Sequence, residues 1–180
     1  MVKFSSMSNQ QFKSSDFKIY YGEYLSPFGK CLIGLTGDKK SLCHLWFLDD
    51  NFKEAFEFMK NEWPGVQLIK DNKSIEKIAK MAFSEDDKEN LQVFLKGTDF
   101  QVKVWKELIN IPRGDTITYS DVAKLIGNPN AIRATAKVIA INRIAYVIPC
   151  HRVLPKTGIS KYRWTTDRRL SILNFEKNIN

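Results

Sequence analysis

From residue 17 the chain alternates apolar and polar positions in short runs. Phe17-Lys18-Ile19-Tyr20-Tyr21 comes first, then Cys31-Leu32-Ile33-Gly34-Leu35, then Leu42-Cys43-His44-Leu45-Trp46-Phe47-Leu48. The turn signals Ser26-Pro27-Phe28-Gly29 and Thr36-Gly37-Asp38 separate these runs, which predicts an antiparallel meander of three strands. The period then changes. Phe52, Ala55, Phe56 and Met59 recur at helical spacing, so a helix is expected over 52–62, capped by Asp49-Asp50-Asn51 and ended by Pro64-Gly65. Ile75, Ile78, Ala79 and Ala82 predict a second helix starting near Ser74. Residues 1–17, rich in Ser, Gln and Lys, read as a loose lead-in. The acidic run Ser84-Glu85-Asp86-Asp87 and the residues after it, to Gly97, read as a connection between two halves.

The second half has a different rhythm. Phe100, Val104, Trp105, Leu108 and Ile109 share one face of a helix that begins at Thr98 or Asp99 and is stopped by Pro112 and Gly114. After the short Thr116-Ile117-Thr118-Tyr119 run, Ser120 caps a helix through Ile126 that Gly127 ends. Asn128-Pro129-Asn130 turns the chain into a helix of small residues from Ala131 to about Ile141. Two short helices joined by a tight turn, the second rich in Ala, Arg and Lys, read as a helix-turn-helix. Ala134, Ala136 and Ala140 suit either close approach of backbone to a nucleic-acid groove or tight packing on the preceding helix. Beyond Asn142, the apolar run Ile144-Ala145-Tyr146-Val147-Ile148 predicts a strand leading to Pro149-Cys150-His151-Arg152-Val153. Lys156-Thr157-Gly158 makes a turn and 159–164 a loop or strand. A last helix follows, capped by Thr165 or Thr166, with Leu170, Ile172, Leu173 and Phe175 inward and its end near Glu176. The domain organisation expected is 1–95, structural, and 96–180, carrying the chemistry.

Charge supports that division. The net charge is +8. Residues 1–95 hold 13 Lys/Arg against 14 Asp/Glu, whereas residues 96–180 hold 15 against 6. A surplus of positive charge in one half is the footprint of a polyanionic partner, nucleic acid first and anionic lipid second. No apolar run approaches the roughly 20 residues that cross a bilayer. The first residues lack the apolar core of a signal peptide, so a cytoplasmic or nuclear location is expected.

The three cysteines Cys31, Cys43 and Cys150 are odd in number and irregularly spaced, which argues for a reducing compartment and against a disulfide framework. Cys31, Cys43 and His44 lack the paired spacing and the fourth ligand of a zinc site, and read as residues of a hairpin. Cys150 is different. Pro149 stiffens the turn that presents it, and the neighbouring imidazole of His151 is a ready base for its thiol, whose free pKa of about 8.5 leaves it mostly protonated at neutral pH.

With these residues in hand, the chain resembles the O6-alkylguanine-DNA alkyltransferases, also called methylated-DNA–protein-cysteine methyltransferases. Ile148-Pro149-Cys150-His151-Arg152-Val153 carries the match. Thr98 to Trp105, Ile117-Thr118-Tyr119, Asn128-Pro129, Ala131-Ile132-Arg133-Ala134, Asn142, Tyr162-Arg163-Trp164 and the terminal helix extend it over residues 97–177. The Ser26-Pro27-Phe28-Gly29-Lys30 turn and its strands resemble the family's N-terminal domain. The resemblance implies an α+β protein: an N-terminal antiparallel sheet with helices, ribonuclease H-like, and a C-terminal, mostly helical domain with a helix-turn-helix.

The resemblance also implies a function. The protein would transfer an alkyl group from O6-alkylguanine in double-stranded DNA irreversibly to Cys150, once per molecule, after extruding the nucleotide from the duplex. It implies His151 as base through a water, Glu176 as the residue holding the imidazole, and Asn142 as the tie between helix-turn-helix and active-site turn. Glu176 aligns with the family's glutamate if the 158–162 loop is one residue shorter. Arg133 would fill the gap in the base stack and Tyr119 would crowd the 3′ phosphate and bind the base. Ala134 and Ala136 would lie at the minor groove. Tyr162, Arg163 through its backbone, and the carbonyls of Cys150 and Val153 would line the base pocket. No cofactor and no metal are implied, and a monomer is expected. Ser160-Lys161 and Thr165 stand where the family often has glycines, which implies a pocket narrowed toward methyl over benzyl adducts. Other readings are a binding module that marks lesions, which would lack the acceptor cysteine, a sequence-specific regulator sensing alkylation or redox state, and a cysteine hydrolase, for which no oxyanion hole is recognisable.

Overall fold

The computed structural model describes residues 2–8, 17–49, 51–84, 90–157 and 162–178. Two compact units divide the chain, Met1–Thr98 and Asp99–Asn180.

In the first unit, β1 (Lys3–Met7), β2 (Lys18–Ser26), β3 (Gly29–Thr36), β4 (Ser41–Phe47), β5 (Gln67–Lys70) and β6 (Gln92–Lys96) form one sheet in the order β1-β6-β4-β3-β2-β5. The expected meander is there: β2 and β3 pair antiparallel from Ile19↔Thr36 to Ser26↔Gly29, and β3 pairs with β4 from Cys31↔Phe47. The sheet as a whole is mixed, not antiparallel. β1 lies parallel to β6, β6 parallel to β4, and β5 parallel to β2. Three of these strands, β1, β5 and β6, were not expected. β1 and β5 are short edge strands with mostly half-buried or exposed side chains, so their alternation is weak. β6 lies in what reads as a connection because only Val93, Leu95 and Lys96 are buried in it.

Helix α1 (Phe52–Glu62) is capped by Asn51, whose side chain accepts from the Glu54 N–H. It buries Ala55 and Met59 with Trp63 against Ile19, Leu32, Cys43 and Leu48. Helix α2 (Asn72–Phe83) starts two residues before the expected Ser74, because Asp71 is the cap and accepts from the Ser74 N–H. It buries Ile75, Ile78, Ala79 and Ala82 close to β2, where a β-carbon at Gly22 would collide with Asn72. Cys31, Cys43 and His44 are buried in this unit, and the described residues contain no group of metal-ligating side chains. Of the acidic run, Glu85 to Asp87 lie outside the described residues.

The second unit comprises α3 (Asp99–Ile109), β7 (Ile117–Thr118), α4 (Tyr119–Leu125), α5 (Ile132–Ala140), a 3-10 turn at Cys150–Arg152, β8 (Val153–Leu154) and α6 (Thr166–Lys177). Trp105 of α3 donates its indole N–H to the Val138 carbonyl at 3.1 Å, locking α3 to α5. α4 is capped by Thr118, not Ser120: Thr118 and Asp121 form a reciprocal capping box. Its C-terminus closes as a Schellman motif. Gly127, at φ +72°, donates to Lys124 and Asn128 donates to Ala123. That geometry turns the chain into α5 and completes the helix-turn-helix.

The segment 144–148 is not a strand. Val147 N–H donates to Ala145 O at 2.7 Å and Ile148 N–H to Ile144 O at 3.0 Å, so the apolar run forms buried turns. A continuous apolar run does not distinguish a strand from a buried turn. Here the side chain of Asn142 satisfies the backbone that a neighbouring strand would have served.

Candidate functional site

Asn142 follows the C-cap of α5 and is buried. Its Oδ1 accepts from Ile144 N–H at 3.0 Å, and its Nδ2 donates to Ile148 O at 2.9 Å and to the Cys150 sulfur at 3.2 Å. One amide therefore fixes both ends of the turn and touches the thiol it presents. Pro149 precedes the 3-10 turn, and Arg152 N–H closes it on the Pro149 carbonyl at 3.0 Å.

Residues Cys150, His151 and Arg152 point three ways from that turn. Cys150, 5% exposed, reaches the floor of a cavity of about 290 Å³ lined by Tyr119, Ile139, Ala140, Tyr162, Arg163, Trp164 and Arg169. His151 is fully buried. Its Nε2 lies 3.0 Å from Glu176 Oε1. Arg152 reaches the same carboxylate with two prongs, Nε to Oε2 at 3.0 Å and Nη2 to Oε1 at 2.6 Å, while Nη1 donates to Ile111 O at 2.6 Å. Gly114 N–H completes the shell of Glu176 at 3.1 Å.

The electrostatics follow from this packing. Burial alone would raise the Glu176 carboxyl, but hydrogen bonds from His151 and Arg152 and their charge hold it well below the usual carboxylate range. Burial lowers the basicity of His151, partly offset by Glu176. With Nε2–H donated to an ionised carboxylate, Nδ1 carries the lone pair and is the ring nitrogen able to take a proton. Burial also pushes the Cys150 thiol up, only partly offset by the Asn142 hydrogen bond and the Arg169 charge. The resting group is thus a thiol. In the resting site the thiol is bonded to Asn142 and the imidazole to Glu176.

Tyr162 is buried over this sulfur, and its hydroxyl approaches it without ordinary hydrogen-bond geometry. The Arg169 guanidinium, 4% exposed, lies 4.7 Å from the Tyr162 ring centroid, and Trp164 meets that ring edge-on. Thr165 has φ +68°, a backbone region that favours glycine, and its side chain caps α6 by accepting from Arg168 N–H at 3.3 Å. It is exposed and lies outside the cavity wall, so it does not narrow the cavity as its replacement of a glycine implied. Ser160-Lys161 lies outside the described residues.

On α5, Arg133 and Ala134 are exposed, Ala136 is half-buried, and Thr135, Val138 and Ile139 face inward. Val153 is buried in β8, paired with Ile117, and does not line the cavity. Tyr119, at the start of α4, does. The structure thus brings Asn142, Cys150, His151, Glu176, Tyr119, Tyr162 and Arg163 around one cavity and its supporting network, and leaves Arg133 and Ala134 on the surface.

Sequence reasoning missed four contributors. Arg152 and Gly114 hold Glu176, Arg169 sits behind Tyr162, and Tyr146 stacks on the His151 ring at 6.2 Å with 12° between planes. Tyr146 has φ +66°, a strained conformation for an aromatic residue. Only Arg152, inside the Pro-Cys-His-Arg run, carried a signal in its position.

An α+β protein with a helix-turn-helix beside a buried cysteine, histidine and glutamate is the class that the fold and site define. A family model described as the 6-O-methylguanine DNA methyltransferase DNA-binding domain matches residues 99–178. The chain is 36% identical over 162 residues to a methylated-DNA–protein-cysteine methyltransferase of Methanosarcina mazei, covering 89% of this chain and 98% of that protein. It is 50% identical over 88 residues to a probable methylated-DNA–protein-cysteine methyltransferase of Acanthamoeba polyphaga mimivirus, covering 49% of this chain. The match spans 59% of that viral protein, and about half the length of two other curated relatives. Among solved structures, the Mycobacterium tuberculosis enzyme in complex with DNA matches with a TM-score of 0.67 and 27% identity over 88% of this chain and 93% of that one. The chain belongs to the methylated-DNA–protein-cysteine methyltransferase family.

Proposed function

We propose that this protein repairs DNA by moving the alkyl group of O6-alkylguanine to Cys150, one lesion per molecule. The observation that carries this reading is the thiol at the floor of a base-sized cavity, bonded to Asn142 and beside a His151–Glu176–Arg152 network, in a member of this family. The structural relative in complex with DNA supports DNA as the partner.

In the reaction the Cys150 proton passes through a water to His151 Nδ1, and the sulfur attacks the alkyl carbon. The S–C bond forms as the C–O6 bond breaks, and the guanine takes up a proton in place of the alkyl group and stays in the strand, restored. Glu176 stabilises the imidazolium that forms, as the third member of a triad does. Arg152 and Gly114 hold Glu176, and Tyr146 holds the imidazole plane. The product is a thioether with no easy reverse path, so the protein is spent. No step calls for a metal or cofactor.

The lesion lies within the duplex, so the nucleotide must be extruded. The helix-turn-helix enters the minor groove, with Ala134 and Ala136 close to the backbone and Arg133 filling the vacated stack. Minor-groove entry suits a search for damage irrespective of sequence, since that groove carries little base code. Tyr119 turns the nucleotide and donates to the base. Tyr162 and Arg163 complete the base site. The N-terminal unit is of the ribonuclease H-like type, its mixed sheet and two helices supporting that reading. Among the described residues no helix is long and apolar enough to cross a membrane, and the protein acts as a monomer in the cytoplasm, or the nucleus of a cell that has one.

The test is intact-mass measurement after mixing with a duplex carrying one O6-methylguanine. A gain of one methylene's mass on Cys150, absent in Cys150→Ala, is the expected result; an unchanged mass rejects transfer.

A further inference from the structure

Five of the eight residues around the cavity are buried and Tyr119 is half-buried, whereas two stand exposed, Arg163 and Ala140, and these two are bonded to each other. Both Nε and Nη2 of Arg163 donate to the Ala140 carbonyl, at 3.2 and 2.8 Å. Ala140 is the last residue of α5, so its carbonyl is one of the acceptors the helix leaves unpaired, at the negative end of the helix dipole. The guanidinium therefore fastens the loop that carries Tyr162 and Trp164 to the end of the second helix of the helix-turn-helix.

We infer that the Arg163–Ala140 bond is a clip across the mouth of the cavity and that Arg163 thereby sets the size of O6-substituent the site accepts. At about 290 Å³ the cavity lies just below the roughly 300–1,000 Å³ of ligand sites. A flat base with a small substituent fits such a volume, and a bulky one requires a wall to move. Cys150, Ile139, Tyr162, Trp164 and Arg169 are buried and packed, and displacing them opens voids in a dense interior. Tyr119 is anchored at the start of α4 beside its capping box. The exposed clip is the part of the wall that opens without disturbing the core, because water replaces the hydrogen bonds it gives up. This role belongs to the Arg163 side chain and is separate from any contact its backbone makes with the base. It rests on the alkyl-transfer reading above.

The experiment compares the single-turnover rate on duplexes carrying O6-methylguanine and O6-benzylguanine, for the parent protein and Arg163→Ala. The expected result is a benzyl-to-methyl rate ratio raised roughly tenfold in Arg163→Ala, the scale on which cavity size discriminates substituents. An unchanged or lowered ratio overturns the clip. Arg163→Lys keeps the charge but loses the two-pronged geometry and gives a second measurement should the alanine variant fail to fold; its ratio must also rise. Failure of the parent protein to take the alkyl group from either duplex rejects the alkyl-transfer reading itself, a result separable from a failed clip.

Discussion

His151 Nε2 and Glu176 Oε1 stand 3.0 Å apart with both side chains buried. The carboxylate that orients the imidazole is itself held by two Arg152 prongs and the Gly114 N–H. It lies 25 residues on from His151 and reaches it only because α6 packs beneath the active-site turn.

Removing that carboxylate isolates a buried guanidinium and leaves two N–H groups without acceptors. Glu176→Ala is expected to cost about 3–5 kcal/mol of stability, as breaking a buried pair from one side does, measured by denaturant unfolding. Glu176→Gln keeps the shape and should lose less stability while still slowing methyl transfer.

Acid should find the same residue. Glu176 is held below its ordinary value, so its contribution to stability is complete above the unfolded carboxylate pKa of about 4.3 and is lost as the pH falls through the lower folded value. A stability profile between pH 7 and 2 should therefore decline below about pH 4.3, and Glu176→Gln should flatten that decline.

His151 is kept neutral by burial, so its base form persists below the ordinary histidine pKa of about 6.5. The transfer rate should stay level through neutral pH and fall on the acid side with a midpoint below that value. Cys150 behaves oppositely. Its thiol is raised by burial, so a small neutral alkylating reagent should label it slowly at pH 7 and faster only above the ordinary cysteine range. Rapid labelling at pH 7 contradicts the resting thiol.

Asn142→Ala removes the Nδ2 contacts to Ile148 O, to Cys150 Sγ and, at 3.4 Å, to Ile144 O, together with the acceptor contact from Ile144 N–H. Leaving buried turn carbonyls and the Ile144 N–H unpaired costs about 1–3 kcal/mol each in the usual case. A lowered unfolding midpoint together with slowed transfer is expected; slowed transfer at unchanged stability would show that the amide acts on the sulfur alone.

In the proposed reading Arg133, exposed on α5, acts on DNA and takes no part in the chemistry at Cys150. Arg133→Ala should slow repair of duplex O6-methylguanine while leaving reaction with the free base O6-benzylguanine unaltered, and should lower the salt slope of DNA binding by about 1. Equal losses on duplex and free base would move Arg133 into the cavity chemistry.

Much of this was legible in the residues. The meander, α1, the helix-turn-helix and the last helix follow from periodicity and turn chemistry. Pro149-Cys150-His151 singled out a cysteine with a base beside it, and the acceptor role came with the family resemblance. What misled was the run 144–148, apolar throughout and therefore silent about strand or turn, and the edge strands β1 and β5, whose half-exposed side chains alternate too weakly to read.

By itself, then, the sequence determined which side chains could do the chemistry, where the helices break and which half carries positive charge, because those are properties of residue type and local spacing. The tertiary structure decided which of them meet. Arg152, Gly114 and Tyr146 act on Glu176 and His151 through contacts set by the packing of α6 on a turn, and the protonation states of Cys150, His151 and Glu176 are set by burial and by partners on other elements. Local pattern carries neither burial depth nor the distance between residues far apart in the chain, and here those two quantities make the site.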